Sequence, residues 1–292
     1  MKRVSVVGLP LFTLAKYSGM GRSPVALRRT GLLSSLGAGV SDEGDARIPM
    51  LEKDALEGKV KNLEHFKRAS KAVLDKVAAI RGADEVICVG GECSFAVGAL
   101  AGFGRTYKGT PGMLWMDSHG DFNTPETSPS GYIGGMCLAM ACGRGPVLGD
   151  EIESRRPLLE EGRLIHLGSR ALDPPELEMM RASPMGIYTM KKVSLEGTKE
   201  VAKRVATRLA DSADWIACHL DVDVMDSSII PAVNYPTRGG MTIDQVASLV
   251  KALDKTGKLK VLNVAAYNPD LDGNGSSARA VVEILRKTFA QE

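Results

Sequence analysis

No run of about 18 apolar residues, the length a helix needs to cross a bilayer, occurs in this sequence. That excludes a bundle of membrane-spanning helices. Charge of one sign is not in excess either. The 37 Lys and Arg face 35 Asp and Glu, a net +2, so no bulk electrostatic case exists for nucleic acid or a membrane surface as partner. Cysteine is sparse: five residues without regular spacing, an odd number that argues against a disulfide framework and for a reducing, cytoplasmic setting. Cys88, Cys137, Cys142 and Cys218 lie in apolar surroundings and read as buried thiols; Cys93 does not. Nucleotide signatures are missing, with no Gly-x-x-x-x-Gly-Lys-Ser/Thr loop and no third glycine after Gly19-Met20-Gly21. No internal repeat is visible. The opening run from Met1 to Val7 reads as a first strand, not a signal peptide.

What is present is an alternation of strand and helix. With 292 residues, 44% of them apolar, the chain can bury one large core, and α/β folds of this size are commonly single domains. Short β-rich runs stand at 4–7, 86–89, 113–116, 164–167, 186–189, 215–220 and 259–264. Helical patterns lie between them, at 24–36, 54–80, 132–143, 175–181, 195–211, 243–254 and 277–289. The 54–80 pattern rests on Leu56, Val60, Leu63, Val73, Val77 and Ile80, spaced for one helix face. Thr242 and Ser277 are residue types that cap helix starts. This alternation predicts the α/β class with a mostly parallel sheet covered on both faces, and ligands then bind beyond the C-terminal strand ends. The polar stretches 41–47 and 270–277 read as loops inside a single domain covering 1–292.

One run stands out, Asp117-Ser118-His119-Gly120-Asp121-Phe122-Asn123, directly after the apolar Met113-Leu114-Trp115-Met116. Read as strand, it sends Asp117, His119 and Asp121 the same way. A second such run puts His219, Asp221 and Asp223 on one face after Trp215-Ile216-Ala217-Cys218. A lone Asp-x-Asp is more often a solvated turn or a cap. Two of them at strand ends would repel strongly unless a cation lay between them. Four carboxylates and an imidazole form a hard donor set, suited to Mn²⁺ more than to structural Zn²⁺. The oxygens suffice for two ions, which lower the pKa of bound water from about 15.7 to about 7. Of the other histidines, His65 reads as a surface residue, His166 as strand filling and His219 as a residue behind the ligands. Asp226 reads as a loop-fixing carboxylate.

Three motifs carry a resemblance: Gly90-Gly91-Glu92-Cys93-Ser94, the run from Asp117 to Asn123, and Asp221-Val222-Asp223-Val224-Met225-Asp226. With Gly168-Ser169-Arg170, Gly239-Gly240-Met241-Thr242 and Tyr267-Asn268-Pro269, they span nearly the whole chain. The sequence resembles the ureohydrolases, the arginase–agmatinase–formiminoglutamase superfamily of dimanganese hydrolases. The resemblance implies a three-layer α/β/α domain with a mostly parallel, roughly eight-stranded sheet. It also implies two Mn²⁺, a metal-bridging hydroxide as nucleophile, a small guanidino-type substrate and a homo-oligomer. The metal ligands implied are Asp117, His119, Asp121, Asp221, Asp223 and Cys93, with Asp121 also the catalytic proton acceptor.

Three positions depart from the family pattern. Cys93 stands for the usual histidine ligand, and a thiolate suits Mn²⁺ poorly. Gly134 stands for the histidine that arginases use as a proton shuttle, and Ala266 for the glutamate that pairs with the guanidinium. Cys93, Gly134, His219 and the run from Gly120 to Thr127 resemble one branch, the Nω-hydroxy-L-arginine amidinohydrolases of D-cycloserine biosynthesis; that branch retains the glutamate missing at Ala266. An N-hydroxyguanidine is less basic than a guanidine and needs a paired carboxylate less; Glu126 is an alternative partner for a cation. A formimino or other non-guanidinium C–N bond, or a non-catalytic relative, are the competing readings. Asn123 and Ser130 match family positions at the substrate's amino-acid end, and are equally turn formers. Asp173 and Glu176 match positions near the substrate α-amino group, and serve equally as an N-cap with a first-turn acid.

Overall fold

The computed structural model describes residues 2–289; Met1 and 290–292, the ends of the expected 1–292 unit, lie outside the described residues. The strands are β1 (Val4–Leu9), β2 (Val40–Asp45), β3 (Leu56–Glu57), β4 (Val60–Lys61), β5 (Glu85–Gly90), β6 (Pro111–Met116), β7 (Leu164–Leu167), β8 (Gly186–Tyr188), β9 (Trp215–Asp221) and β10 (Leu259–Ala265). Eight of them form one sheet in the order β2-β1-β5-β10-β9-β6-β7-β8, and every pairing in it is parallel. All seven expected strands are present.

Alternation within each strand feeds two cores. Leu114 and Met116 of β6 join Ile216, Cys218 and Leu220 of β9 on one face, against the helices Thr198–Ser212, Ile243–Asp254 and Ser276–Phe289. Met113 and Trp115 join Val86 and Cys88 on the other, against Leu63–Ala78 and Phe95–Thr106. The strands are therefore apolar on both sides, as a parallel sheet between helix layers requires. No helix among the described residues is long and apolar enough to cross a membrane.

Several expectations are corrected. Residues 41–45, read as loop, belong to the edge strand β2, whose polar sequence VSDEGD pairs with β1 alone. An edge strand needs only one hydrogen-bonded neighbour and shows solvent its charges, so the apolar signal is absent. The expected 54–80 helix begins only at Leu63. Asn62 takes a left-handed backbone (φ 57°) that few residues tolerate, and 56–61 form the small β3–β4 hairpin. The helix Phe95–Thr106 had no periodic signal, because Phe95 to Phe103 are all buried and its apolar face runs all round. The 195–211 pattern is a pair of helices, Met190–Glu196 and Thr198–Ser212, broken at Gly197 (φ 82°). Thr242 caps its helix, accepting from Gln245 N. Ser277 does not; it lies inside the first turn, and its Oγ accepts from Ala232 N.

Candidate metal centre

β5 and β6 are consecutive in the two-face sheet's chain path but are separated by β10 and β9. The carboxylates gather beyond the C-terminal ends of these four central strands, where parallel sheets place their sites. Alternation is not what aligns them. β6 ends at Met116, and Asp117 opens a turn in which His119 N donates to Asp117 Oδ1 (2.7 Å). β9 ends at Asp221, which caps the 3-10 turn Val222–Val224 by accepting from Asp223 N (2.7 Å). Ser118 N donates to Asp223 Oδ1 (3.1 Å), tying the two turns together.

Two groups of donors result, each with its ligand atoms within 4.8 Å of one another: Cys93, Asp117 and Asp221, and Asp117, His119 and Asp223. Asp117 belongs to both. His119 Nδ1 lies 3.0 Å from Asp223 Oδ2 and 3.5 Å from Asp117 Oδ1. The Cys93 thiol donates to Asp221 Oδ2 at 2.9 Å. Asp121 joins neither group, although it lines the same cavity. Its backbone is left-handed (φ 50°), and its carbonyl accepts from Leu138 N and Ala139 N at 2.9 and 3.2 Å, fastening the loop to the helix Cys137–Ala141.

Electrostatics describe a site short of positive charge. Burial, then neighbouring carboxylates, hold Asp117, Asp121 and Asp221 above the ordinary aspartate range. Burial would lower the His119 pKa, but hydrogen bonds to Asp117 and Asp223 and their charges raise it to about 12. Asp223 alone is held low: burial is outweighed by its bond to His119. The Cys93 thiol is pushed up by burial and by Asp221. One imidazolium cannot balance four buried carboxylates. The set fits two divalent cations side by side, with Cys93 the one soft donor.

A cavity of about 490 Å³ opens over these donors, and Asn123, Ser130, Asp173 and Glu176 also line it. Asn123 Nδ2 donates to Asp173 Oδ2 (3.1 Å). Asp173 stands at the N-cap of the helix Pro174–Ala182. The buried Glu176 accepts from Phe122 N (2.8 Å) and Asp173 N (3.3 Å), which binds that helix to the loop after β6. Ser130 is exposed, and its Oγ accepts from Tyr132 N. Glu126 is exposed and is not part of the lining.

Several other residues depart from expectation or were missed. His65 is buried, not on the surface, with Nε2 3.2 Å from Phe12 O. His219 lies one layer back, stacked on Trp115 at 3.7 Å between ring centres, and Trp115 Nε1 donates to Asp117 Oδ2 (3.2 Å). Burial lowers the His219 pKa to about 3, leaving it neutral. Cys137 is not in purely apolar surroundings: its thiol lies 3.1 Å from Gly134 O and 3.5 Å from Asp121 Oδ2. Asp226 fixes its loop, accepting from Gly239 N and Gly240 N. Arg170 was missed as an organiser. Its guanidinium donates to the carbonyls of Asp223, Met225 and Thr237 at 2.9–3.0 Å, with those of Gly168, Val224 and Arg238 at 3.0–3.2 Å. Its place in Gly168-Ser169-Arg170, just past β7, was the available signal.

The arginase family model matches residues 2–290. The chain belongs to the arginase family. It is 31% identical to the arginase of Bacillus caldovelox, with 100% of this chain and 99% of the relative covered. It is 30% identical to that of Bacillus subtilis strain 168 over the same shares. The solved structure of the Bacillus caldovelox arginase superimposes with a TM-score of 0.92 at 29% identity, covering 100% of this chain and 99% of that one. Membership supports a metal-dependent hydrolase acting on amidino or guanidino C–N bonds.

Proposed function

We propose that the protein is a dimanganese hydrolase of a linear guanidino or N-hydroxyguanidino compound, close in chemistry to Nω-hydroxy-L-arginine. Water is added across the amidino carbon, the C–N bond to the amine breaks, and a urea-type product leaves with an amine such as ornithine. The observation that carries this reading is the pair of donor groups sharing Asp117 at the base of the cavity. Cys93, Asp117 and Asp221 would hold one ion, and Asp117, His119 and Asp223 the other, with Asp121 completing the set. Bound there, such ions supply hydroxide near neutral pH by lowering the pKa of water from about 15.7 to about 7.

The chain's own groups do the rest. Asp121, above its ordinary range through burial and Asp117, takes the proton released on attack and passes it to the departing nitrogen. Asn123, Ser130 and Asp173 bind the amino-acid end of the substrate, and the Asn123–Asp173 bond orients the first and third beforehand. Glu176, with its oxygens given to backbone N–H groups, supports Asp173 from behind. Ala266 leaves no carboxylate for a guanidinium, which favours the less basic N-hydroxyguanidine. The same alanine favours a second reading, hydrolysis of a formimino or other non-guanidinium C–N bond.

Metal analysis and a substrate panel with product mass spectrometry test this. About two Mn²⁺ per chain, Mn²⁺-stimulated turnover and release of ornithine with hydroxyurea or urea are expected. Turnover of formimino compounds alone would select the second reading. Absence of both Mn²⁺ stimulation and any urea-type product would sink the assignment.

A further inference from the structure

The cavity wall beside the donors is built from two features that the metal chemistry does not use. Gly134 is the first. A Cβ placed on it would lie 2.5–2.7 Å from Cζ, Cε1 and the hydroxyl of Tyr132. The tip of the Tyr132 ring therefore occupies the space into which any side chain at 134 would grow. The second is Glu92, buried and part of the same lining. Tyr132 OH donates to Glu92 Oε2 at 2.5 Å, and Ser94 Oγ donates to Glu92 Oε1 at 2.7 Å. Both carboxylate oxygens are thus engaged within the protein.

Ala266 completes this wall. Its N–H donates to Gly91 O (2.7 Å), which places it beside the residue that precedes Glu92. Each oxygen of the wall's one carboxylate, Glu92, therefore already holds a hydrogen bond from the protein. The wall's polar group is the Tyr132 oxygen, whose proton is committed to Glu92, so it presents lone pairs only. Burial, then Glu92, pushes the Tyr132 pKa well above the phenol range, which keeps that proton in place. The ring is held from outside by edge contact with Tyr17, centroids 5.6 Å apart, and Tyr17 packs in turn on Tyr235 at 5.7 Å. A neutral amidine nitrogen bearing an O–H or N–H donor meets a preset acceptor.

We infer that Tyr132, oriented by Glu92 and admitted by Gly134, is the specificity-determining residue of the cavity, accepting a hydrogen bond from the N-hydroxyl of a neutral N-hydroxyguanidine. This rests on the reaction proposed above and names the form of substrate it takes. Two variants of the Mn²⁺-loaded protein test it. Tyr132→Phe keeps the ring and removes the acceptor. Gly134→Ala keeps the hydroxyl and displaces it. Each is expected to lower kcat/KM for Nω-hydroxy-L-arginine by about tenfold or more, since a site built to bond a donor group discriminates through that bond. Metal content should stay at the wild-type level. If the wild type hydrolyses the compound and both folded variants stay within about twofold of it, the reaction stands and this inference falls. If the wild type hydrolyses neither N-hydroxylated nor plain guanidino compounds, the reaction falls, and the inference with it.

Discussion

Ala266 is held at φ 68°, a left-handed backbone that costs an L-residue about 1–2 kcal/mol. The conformation persists because its N–H is bound to Gly91 O at the end of the central strands. A longer side chain would leave the same backbone and enter the same cavity, so the position tests charge without changing the fold. Ala266→Glu is expected to raise L-arginine hydrolysis by about tenfold or more, because a carboxylate facing a guanidinium forms a charge-assisted pair. Arginine turnover that stays undetectable in this variant, with metal content intact, would show that the missing carboxylate does not exclude arginine. Cys93 and Asp121 carry the same lesson at single-residue scale. Both read as donors from residue type alone, and of the two only Cys93 joins a donor group. The 2.9 Å thiol contact with Asp221 and the positive φ of Asp121 were not legible, since each depends on a segment distant in sequence or on a turn that no periodicity encodes.

At the scale of elements, the centre depends on turns more than on strands. The 3-10 turn Val222–Val224 carries Asp223, and Arg170 donates to the carbonyls of Asp223 and Val224, the second of which also accepts from Met241 N. Arg170 offers five N–H donors in a fixed plane, which a lysine ammonium cannot reproduce. Arg170→Lys is expected to weaken Mn²⁺ binding about 10–100-fold, the usual effect of losing a group that orients a ligand. Metal titration followed by activity checks this, and an unchanged affinity would remove Arg170 from the supporting structure. Elements bearing a one-sided apolar pattern, such as Ile243–Asp254 with its Thr242 cap, were legible to the residue. The exposed edge strand β2 and the helix Phe95–Thr106, buried from Phe95 to Phe103, were not. One lacks an apolar face, and the other is apolar all round over its buried stretch.

Over the whole molecule, the two ends of the sheet bear different burdens. Candidate metal donors crowd the C-terminal end, while at the N-terminal end of β5 the buried Glu85 bonds Lys2. Burial, then a hydrogen bond to Asp254, pushes the Glu85 pKa from 4.5 to about 7 despite Lys2. Between these values the folded protein binds the proton that the unfolded chain has released. Stability therefore falls as pH rises through that window, and the full cost is present above it. Glu85→Gln removes the titration. Relative to wild type, its melting midpoint is expected to rise between about pH 5 and about pH 8, by on the order of 1–2 kcal/mol of stability. A difference that does not change with pH would contradict this. Local order determined much of the rest: the strand–helix alternation, two covered faces and two carboxylate-bearing strand ends follow from side-chain period and residue type along short stretches. Tertiary structure decided which donors meet, because Cys93, Asp117 and Asp221 stand at or just past the ends of β5, β6 and β9, which only the sheet order brings together. It also decided that Tyr132 fills the space above Gly134 and that Glu92 is already bonded. The second rests on a bond between segments far apart in sequence, and the first on a local turn that no periodicity encodes.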